Sequence, residues 1–152
     1  MVRLNVIEMA SPSDDVLTML MRYAAVNDEG QKTILSSCLV RAMDLVQRYA
    51  DRALLAGRWR VIATEHDGSV PVYMGGMVEN VTDKRGGAVP FEQVGNRVNV
   101  GREAYVEVVF STEVDRADMD VLLPVVLKYA TALYDGEDTR VLNDILKEAL
   151  YA

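Results

Sequence analysis

The most regular pattern in the chain is a stripe of apolar residues between Gln31 and Leu55. Its members recur three or four residues apart, which is the spacing of one buried face on a long helix. They are Ile34, Leu35, Cys38, Leu39, Ala42, Leu45, Val46, Tyr49, Ala50 and Ala53. The opposite face is polar and comprises Lys32, Ser36, Arg41, Asp44, Gln47, Arg48 and Asp51. The pattern predicts a long helix, with Gly57 as its left-handed C-terminal cap.

Three further helices follow from apolar spacing and capping residues. A first helix is predicted from a Ser11 cap and Pro12 to about Val26. A third is predicted to start at Asp118 or Asp120, with Pro124 near its first turn, and to reach Tyr134. The last begins at Thr139 and carries the apolar stripe Leu142, Ile145, Leu146, Ala149 and Leu150. This stripe either completes the protein's own core or docks on a neighbour.

Strand-like patterns occupy two parts of the chain. Residues 2–9 alternate loosely and predict a short edge strand or an extended arm. Between Trp59 and Phe110, β-branched and aromatic residues alternate with turn signals such as Asp67-Gly68. We expect four to six short strands there. The fold class is therefore α+β: a bundle of about four helices, with a long second helix, and a small, mostly antiparallel sheet inserted between helices two and three.

Composition narrows the class of protein. The 152 residues suit one domain, and the hydrophobic share of 50% and charged share of 26% are ordinary for a globular protein. With no apolar run long enough for a membrane span and no signal-peptide pattern, we expect a soluble protein made in the cytoplasm. The net charge of −7 argues against a protein that grips nucleic acid through phosphates. An acidic surface could still line a passage through which DNA slides.

The sequence offers no convincing catalytic, cofactor or metal site. Cys38, the one cysteine, falls among the apolar positions of the long helix and is interpreted as a core side chain. His66, the one histidine, lies in a predicted turn without a Gly-x-Ser-x-Gly elbow. The two glycine pairs lack phosphate-loop and dinucleotide patterns. The acidic cluster at 115–120 lacks the glycine and distal glutamate of a calcium loop.

Three stretches together resemble phage head-tail connector proteins, the adaptor or head-completion proteins. The first runs from Leu45 to Arg60, where a long helix ends in Tyr49, passes through Ala53-Leu54-Leu55 and enters a strand at Trp59. The second is Val70-Pro71-Val72 with the sheet that follows, and the third is the proline-bearing helix Leu123–Tyr134. The resemblance covers most of the chain at the level of pattern.

The resemblance implies a virion structural role without enzymatic activity or a cofactor. Such proteins form a ring, commonly of twelve copies, beneath the capsid portal and support neck or tail completion proteins. Genomic DNA passes through the ring during packaging and ejection and touches it only transiently. The implied location is the virion neck, after assembly in the host cytoplasm, with no membrane partner.

The same resemblance implies which surfaces make contacts. Residues 1–138 would form the connector core, and the C-terminal helix at 139–152 would dock on the portal through Leu142, Ile145, Leu146, Ala149 and Leu150. A subunit interface or channel wall would use Arg41, Asp44, Arg48, Lys84 and Arg85. Two other readings stay open from the residues alone. One is a small monomeric α+β domain that binds a ligand or protein, and the other is a hydrolase with an unrecognised acidic site.

Overall fold

The computed structural model describes residues 1–152 and contains four α-helices, two single-turn 3₁₀ helices and seven strands. The helices are α1 Asp14–Tyr23, α2 Lys32–Ala50, α3 Arg116–Tyr134 and α4 Thr139–Glu148. The strands are β1 Val2–Met9, β2 Gly57–Thr64, β3 Ser69–Pro71, β4 Met77–Thr82, β5 Glu92–Val94, β6 Arg97–Asn99 and β7 Tyr105–Thr112. None of the helices combines the length and the apolar character needed to cross a membrane.

The chain divides into two compact units. The β unit comprises Met1–Ala10 and Ala56–Glu113, and the helical unit comprises Ser11–Leu55 and Val114–Ala152. All seven strands belong to the first unit and all four helices to the second. The predicted α+β class is confirmed, and the sheet region does lie between helices two and three.

The β unit contains two antiparallel sheets. The larger has the strand order β1-β2-β7-β4, and the smaller has the order β3-β6-β5. The region after Trp59 thus holds six strands, the upper end of the predicted range, but they form two sheets because β3, β5 and β6 pair only with one another. Residues 2–9 form an edge strand of the larger sheet, one of the two predicted alternatives.

One face of the larger sheet is strongly apolar. Trp59, Val61 and Ala63 of β2 lie opposite Phe110, Val108 and Val106 of β7, and all six side chains are fully buried. Such cross-strand pairs are the unit of sheet stabilisation. The indole Nε1 of Trp59 donates a hydrogen bond to Thr112 Oγ1 at 3.2 Å, so the one polar atom of this large buried ring is satisfied.

Two helices start at residues other than those predicted. The cap of α1 is Ser13, whose hydroxyl accepts from Val16 N, and not Ser11. The cap of α3 is Asp115, which accepts from the backbone of Ala117 and Asp118. The earlier start of α3 places Pro124 in the helix interior, where it removes a backbone N–H.

Helix α2 ends earlier than predicted, and Gly57 is not its cap. Asp51 takes the left-handed conformation, with φ of 54°, and closes the helix after Ala50. Aspartate tolerates this conformation better than most residues because its short side chain can hydrogen-bond locally. Gly57 instead begins β2, where a Cβ atom would lie 3.0 Å from the carbonyl oxygen of Glu8.

A buried glutamine organises the chain that leaves α2. Gln47, assigned to the polar face by its spacing, has no exposed surface. Its Oε1 accepts from the backbone N–H groups of Leu54 at 3.0 Å and Leu55 at 3.1 Å. Both leucines are buried, so water cannot replace this acceptor. The amide therefore fixes the backbone of the last two residues before the β unit.

Replacing Gln47 by methionine, which has a similar volume, should lower the free energy of unfolding by about 2 kcal/mol or more. The substitution keeps the packing but leaves two buried N–H groups without an acceptor. Urea unfolding of the Gln47→Met variant measures the effect. Arg41→Ala, on the exposed face of the same helix, is the matched control and should change stability by less than about 0.5 kcal/mol. Equal effects of the two substitutions would contradict this account.

Candidate functional site

The structure brings no three histidine, cysteine, aspartate or glutamate side chains together in an arrangement that could hold a metal ion. The candidate functional residues lie on four surfaces instead. Two belong to the helical unit and comprise the C-terminal helix and the exposed face of α2. Two belong to the β unit and comprise the turn after β4 and the outer face of the larger sheet.

The C-terminal stripe is divided between the interior and the surface. Ile145, Leu146 and Ala149 are buried, and α4 packs against α3 within the helical unit. Leu142 is half-buried. Leu150 remains 57% exposed, and the neighbouring Tyr151, which the sequence interpretation did not include, is 89% exposed. The apolar surface available to a partner is therefore smaller than the predicted stripe and centres on these last two residues.

Polar contacts hold the two ends of this C-terminal segment. Lys128 Nζ on α3 donates to Glu148 Oε1 on α4 at 2.7 Å. This hydrogen bond, with the attraction of the carboxylate, raises the pKa of Lys128 above its ordinary value. Arg52 Nη1 donates to the carbonyl oxygen of Ala152 at 3.2 Å. These bonds fix the position from which Leu150 and Tyr151 project.

The polar face of α2 is largely exposed apart from the buried Gln47, and some of its side chains hydrogen-bond to one another. Arg48 Nε donates to Asp44 Oδ1 at 2.9 Å, and Gln47 Nε2 donates to the same oxygen at 3.2 Å. Arg41 is exposed on this helix. Ile34, expected to be buried, is 52% exposed. The buried stripe is rotated toward Met43 and Gln47, so the exposed face mixes apolar and charged side chains.

The turn after β4 presents two cations. Lys84 and Arg85 are both exposed at its tip. Asp83 Oδ1 accepts from the backbone N–H groups of Arg85 and Gly87, each at 2.9 Å, which fixes the turn below them. Gly86 has φ of 81°, a conformation that favours glycine. Lys84 and Arg85 therefore project from an ordered turn. The structure places them in the β unit, whereas Arg41, Asp44 and Arg48 belong to the helical unit.

The outer face of the larger sheet carries a row of charges that the sequence interpretation missed. Arg58 Nη2 lies 2.9 Å from Glu79 Oε2, and Arg60 Nε lies 3.8 Å from Glu107 Oε2. Tyr105 donates its hydroxyl to Glu107 Oε1 at 2.8 Å, and this hydrogen bond raises the pKa of the phenol. The signal was the alternation of arginine with Trp59 and Val61 along β2, which puts every second residue on the outer face.

Solved structures of a gene transfer agent particle contain chains with the same fold. A chain in the neck of the empty particle, computed with C6 symmetry, matches with a TM-score of 0.64 and 14% identity over 97% of this chain and 94% of that chain. A chain in the virion of the native particle matches with a TM-score of 0.58 and 15% identity over 87% and 84%. A chain in the native neck, computed with C12 symmetry, matches with a TM-score of 0.52 and 13% identity over 94% of this chain and 94% of that chain.

These comparisons establish the fold. The resemblance to phage head-tail connector proteins is thereby confirmed at the level of fold, because the similar chains come from the neck and virion of a phage-like particle. No protein-family model matches the chain, and no curated protein matches it by sequence.

Cys38 provides a direct test of the helical unit's environment. The thiol is half-buried on α2, whereas the sequence pattern predicted a core side chain. Desolvation raises its pKa, and the nearby Arg41 cation opposes this effect more weakly. A raised pKa leaves less thiolate near neutral pH, so the thiol should react more slowly in the folded chain than in the unfolded chain.

The pH midpoint for the reaction of Cys38 with a thiol-specific disulfide reagent should therefore lie higher in the folded chain than in the urea-unfolded chain. Because Cys38 is the one cysteine, the release of chromophore reports this residue alone. Arg41→Met should raise the folded midpoint further by removing the cation. A folded midpoint at or below the unfolded one would be inconsistent with the burial described.

Proposed function

We propose that this protein is a structural subunit of a virion neck, a head-tail connector that forms a ring between the capsid portal and the neck or tail. The observation that carries the proposal is the fold likeness to a chain of a particle neck, which extends over 97% of this chain and 94% of that one. In this role the protein is a building block without enzymatic activity.

A ring requires two different complementary surfaces on each subunit because its contacts run head to tail. The exposed face of α2, with Arg41 and Ile34, and the charged outer face of the larger sheet differ in character. The first mixes apolar and basic groups, and the second pairs arginines with glutamates. We assign the subunit contacts to these faces. The proposed copy number is twelve, and C12 is the symmetry with which one similar neck was computed.

The centre of the ring would let genomic DNA pass. A net charge of −7 favours a wall that repels phosphates rather than one that holds them. Lys84 and Arg85 are the exposed cations of an ordered turn, and we assign them the transient, non-specific contact with DNA. Two cations bind phosphates weakly at physiological salt, which suits a strand that must move.

We assign docking on the portal to the C-terminal segment, but to fewer residues of it than the sequence suggested. Ile145, Leu146 and Ala149 already pack in the helical unit. The contact would instead use Leu150 and Tyr151, with the half-buried Leu142 at its margin. The functional division into residues 1–138 and 139–152 remains a prediction of this assignment.

Mixing the purified chain with portal complexes tests the ring. Light scattering should show a large complex whose added mass is about twelve times 16.9 kDa, because the portal provides the template for the ring. A chain that stays free in the presence of portal would overturn the proposal and favour the monomeric binding domain. The free chain need not form a ring, so its mass alone decides nothing about this point.

The docking contact is tested by the double variant Leu150→Ser with Tyr151→Ser. Both side chains are exposed, so the fold should remain intact while portal affinity falls about tenfold or more through lost apolar burial. The matched control is Asp144→Ser with Lys147→Ser, which removes an exposed ion pair of 3.8 Å from the same helix and should leave affinity unchanged. Unchanged portal binding by the first variant would reject the docking assignment.

A further inference from the structure

The edges of the two sheets are not equally protected. At the edge of β4, Val89 N donates to Val81 O at 2.9 Å and Gln93 Oε1 accepts from Val78 N at 2.8 Å. At the edge of β3, Arg97 Nη2 donates to Ser69 O at 3.1 Å. The chain thus uses its own groups to close two edges that could otherwise pair with another strand.

Strand β1 is the other edge of the larger sheet, and no such hydrogen bonds satisfy its outer backbone groups. Met1 and Thr64 exchange two backbone hydrogen bonds, at 2.6 and 2.8 Å. Antiparallel pairing alternates, so Arg3 and Asn5 also bond to β2 while the residues between them point their backbone groups away from it. The N–H and C=O groups of Val2, Leu4 and Val6 therefore face outward, and no hydrogen bond from the chain reaches them.

The open edge is also apolar. Val2 is 43% exposed and Val6 is 45% exposed, with the half-buried Leu4 between them. The pairing of β1 with β2 is regular from Val2 to Val6, and the register shifts only beyond Val6. A regular, apolar strand of five residues with free backbone groups is a template for a further strand.

We propose that β1 pairs with β1 of a second copy of this chain, antiparallel, about a two-fold axis through Leu4. In this register Leu4 lies opposite Leu4 of the second copy, and Val2 lies opposite its Val6. The three outward-facing residues thereby meet one another, which gives about six hydrogen bonds, two for each pair. Arg3 lies opposite Asn5, so no like charges meet.

The fit between two β1 strands follows from the spacing of the outward-facing residues along the strand. The outward-facing residues are spaced symmetrically about Leu4, and the regular segment ends on either side of them. Pairing about Arg3 or Asn5 would also oppose outward-facing residues, but would form only two such pairs within the regular segment instead of three. Pairing about Arg3 would in addition place two arginines opposite each other. A second copy of β1 therefore fits this edge along its whole regular length.

This contact goes beyond the proposed ring and is independent of it. It is isologous, because the same surface is used by both copies, whereas ring contacts run head to tail. The pair is therefore a state of the chain free of portal. Its presence or absence can be measured without any virion component, so its failure would leave the ring proposal unaffected.

Leu4→Pro tests the pairing without disturbing the sheet. The substitution removes an N–H that points away from β2, and proline is tolerated at such edge positions. Sedimentation equilibrium of the native chain should show a mass between 16.9 kDa and twice that value, rising with concentration. Leu4→Pro should raise the dimer dissociation constant about tenfold or more, because two hydrogen bonds at the axis are lost.

Ile7→Thr is the matched control. Ile7 is 40% exposed but lies at the register shift, outside the proposed pairing. The Ile7→Thr substitution should leave the dimer dissociation constant unchanged. This result would distinguish strand pairing from general association through exposed apolar side chains. A native chain that stays monomeric at all concentrations, or a dimer that survives Leu4→Pro, would overturn the proposal.

A disulfide test decides the matter if Leu4→Pro does not fold. In a Cys38→Ser background, Leu4→Cys places two thiols at the axis, with Cα atoms about 5.5 Å apart, within the range a disulfide spans. Mild oxidation should yield a covalent dimer rapidly. Arg85→Cys in the same background offers an exposed thiol outside the contact and should cross-link at least about tenfold more slowly, since only random collisions join it. Equal rates would contradict the pairing.

Discussion

The buried amide of Gln47 is the interaction on which the path of the chain out of its long helix depends. Helix α2 ends at Asp51, and the backbone N–H groups of the buried Leu54 and Leu55 then need an acceptor in a place that water does not reach. Gln47 provides one acceptor for both N–H groups. An apolar residue there would pack but would leave these donors unsatisfied, whereas a charged residue would be desolvated. One side chain thus links the end of the helix to the approach to β2.

The β unit obeys a related constraint at its edges. A backbone group that lies at the edge of a sheet must bond to the chain itself, to water or to another molecule. Gln93 and Arg97 satisfy such groups at β4 and β3. Nothing comparable protects β1. The β unit therefore contains two edges whose backbone groups are satisfied by the chain itself and one edge, β1, whose backbone groups remain available to another strand.

Apolar spacing predicted the number of helices and the fold class correctly. It failed at positions decided by hydrogen bonds. Gln47 looked like a surface residue because its type is polar, and only its two backbone partners explain its burial. The start of α3 was misplaced because several aspartates could cap it, and spacing alone could not choose Asp115. Similarly, an apolar stripe cannot reveal that Ile145 is buried while Leu150 remains exposed, because both fit one helical face.

The candidate surfaces were predicted less completely than the fold. Basic residues in a turn, such as Lys84 and Arg85, could be recognised as exposed from their setting alone. The charged face of the larger sheet required knowledge of which strands are neighbours, since Arg58 and Glu79 are far apart in the sequence but 2.9 Å apart in space. A common role for these surfaces, as contacts of a ring, belongs to the proposed function.

The central claim, that the protein is a ring subunit of a virion neck, is tested most directly by electron microscopy of portal-bearing particles that contain it. We expect a ring of density adjoining the portal into which this fold fits, and we expect this density to be absent from particles made without the chain. Particles whose neck is unchanged by removal of the chain, or density that the fold does not fit, would contradict it.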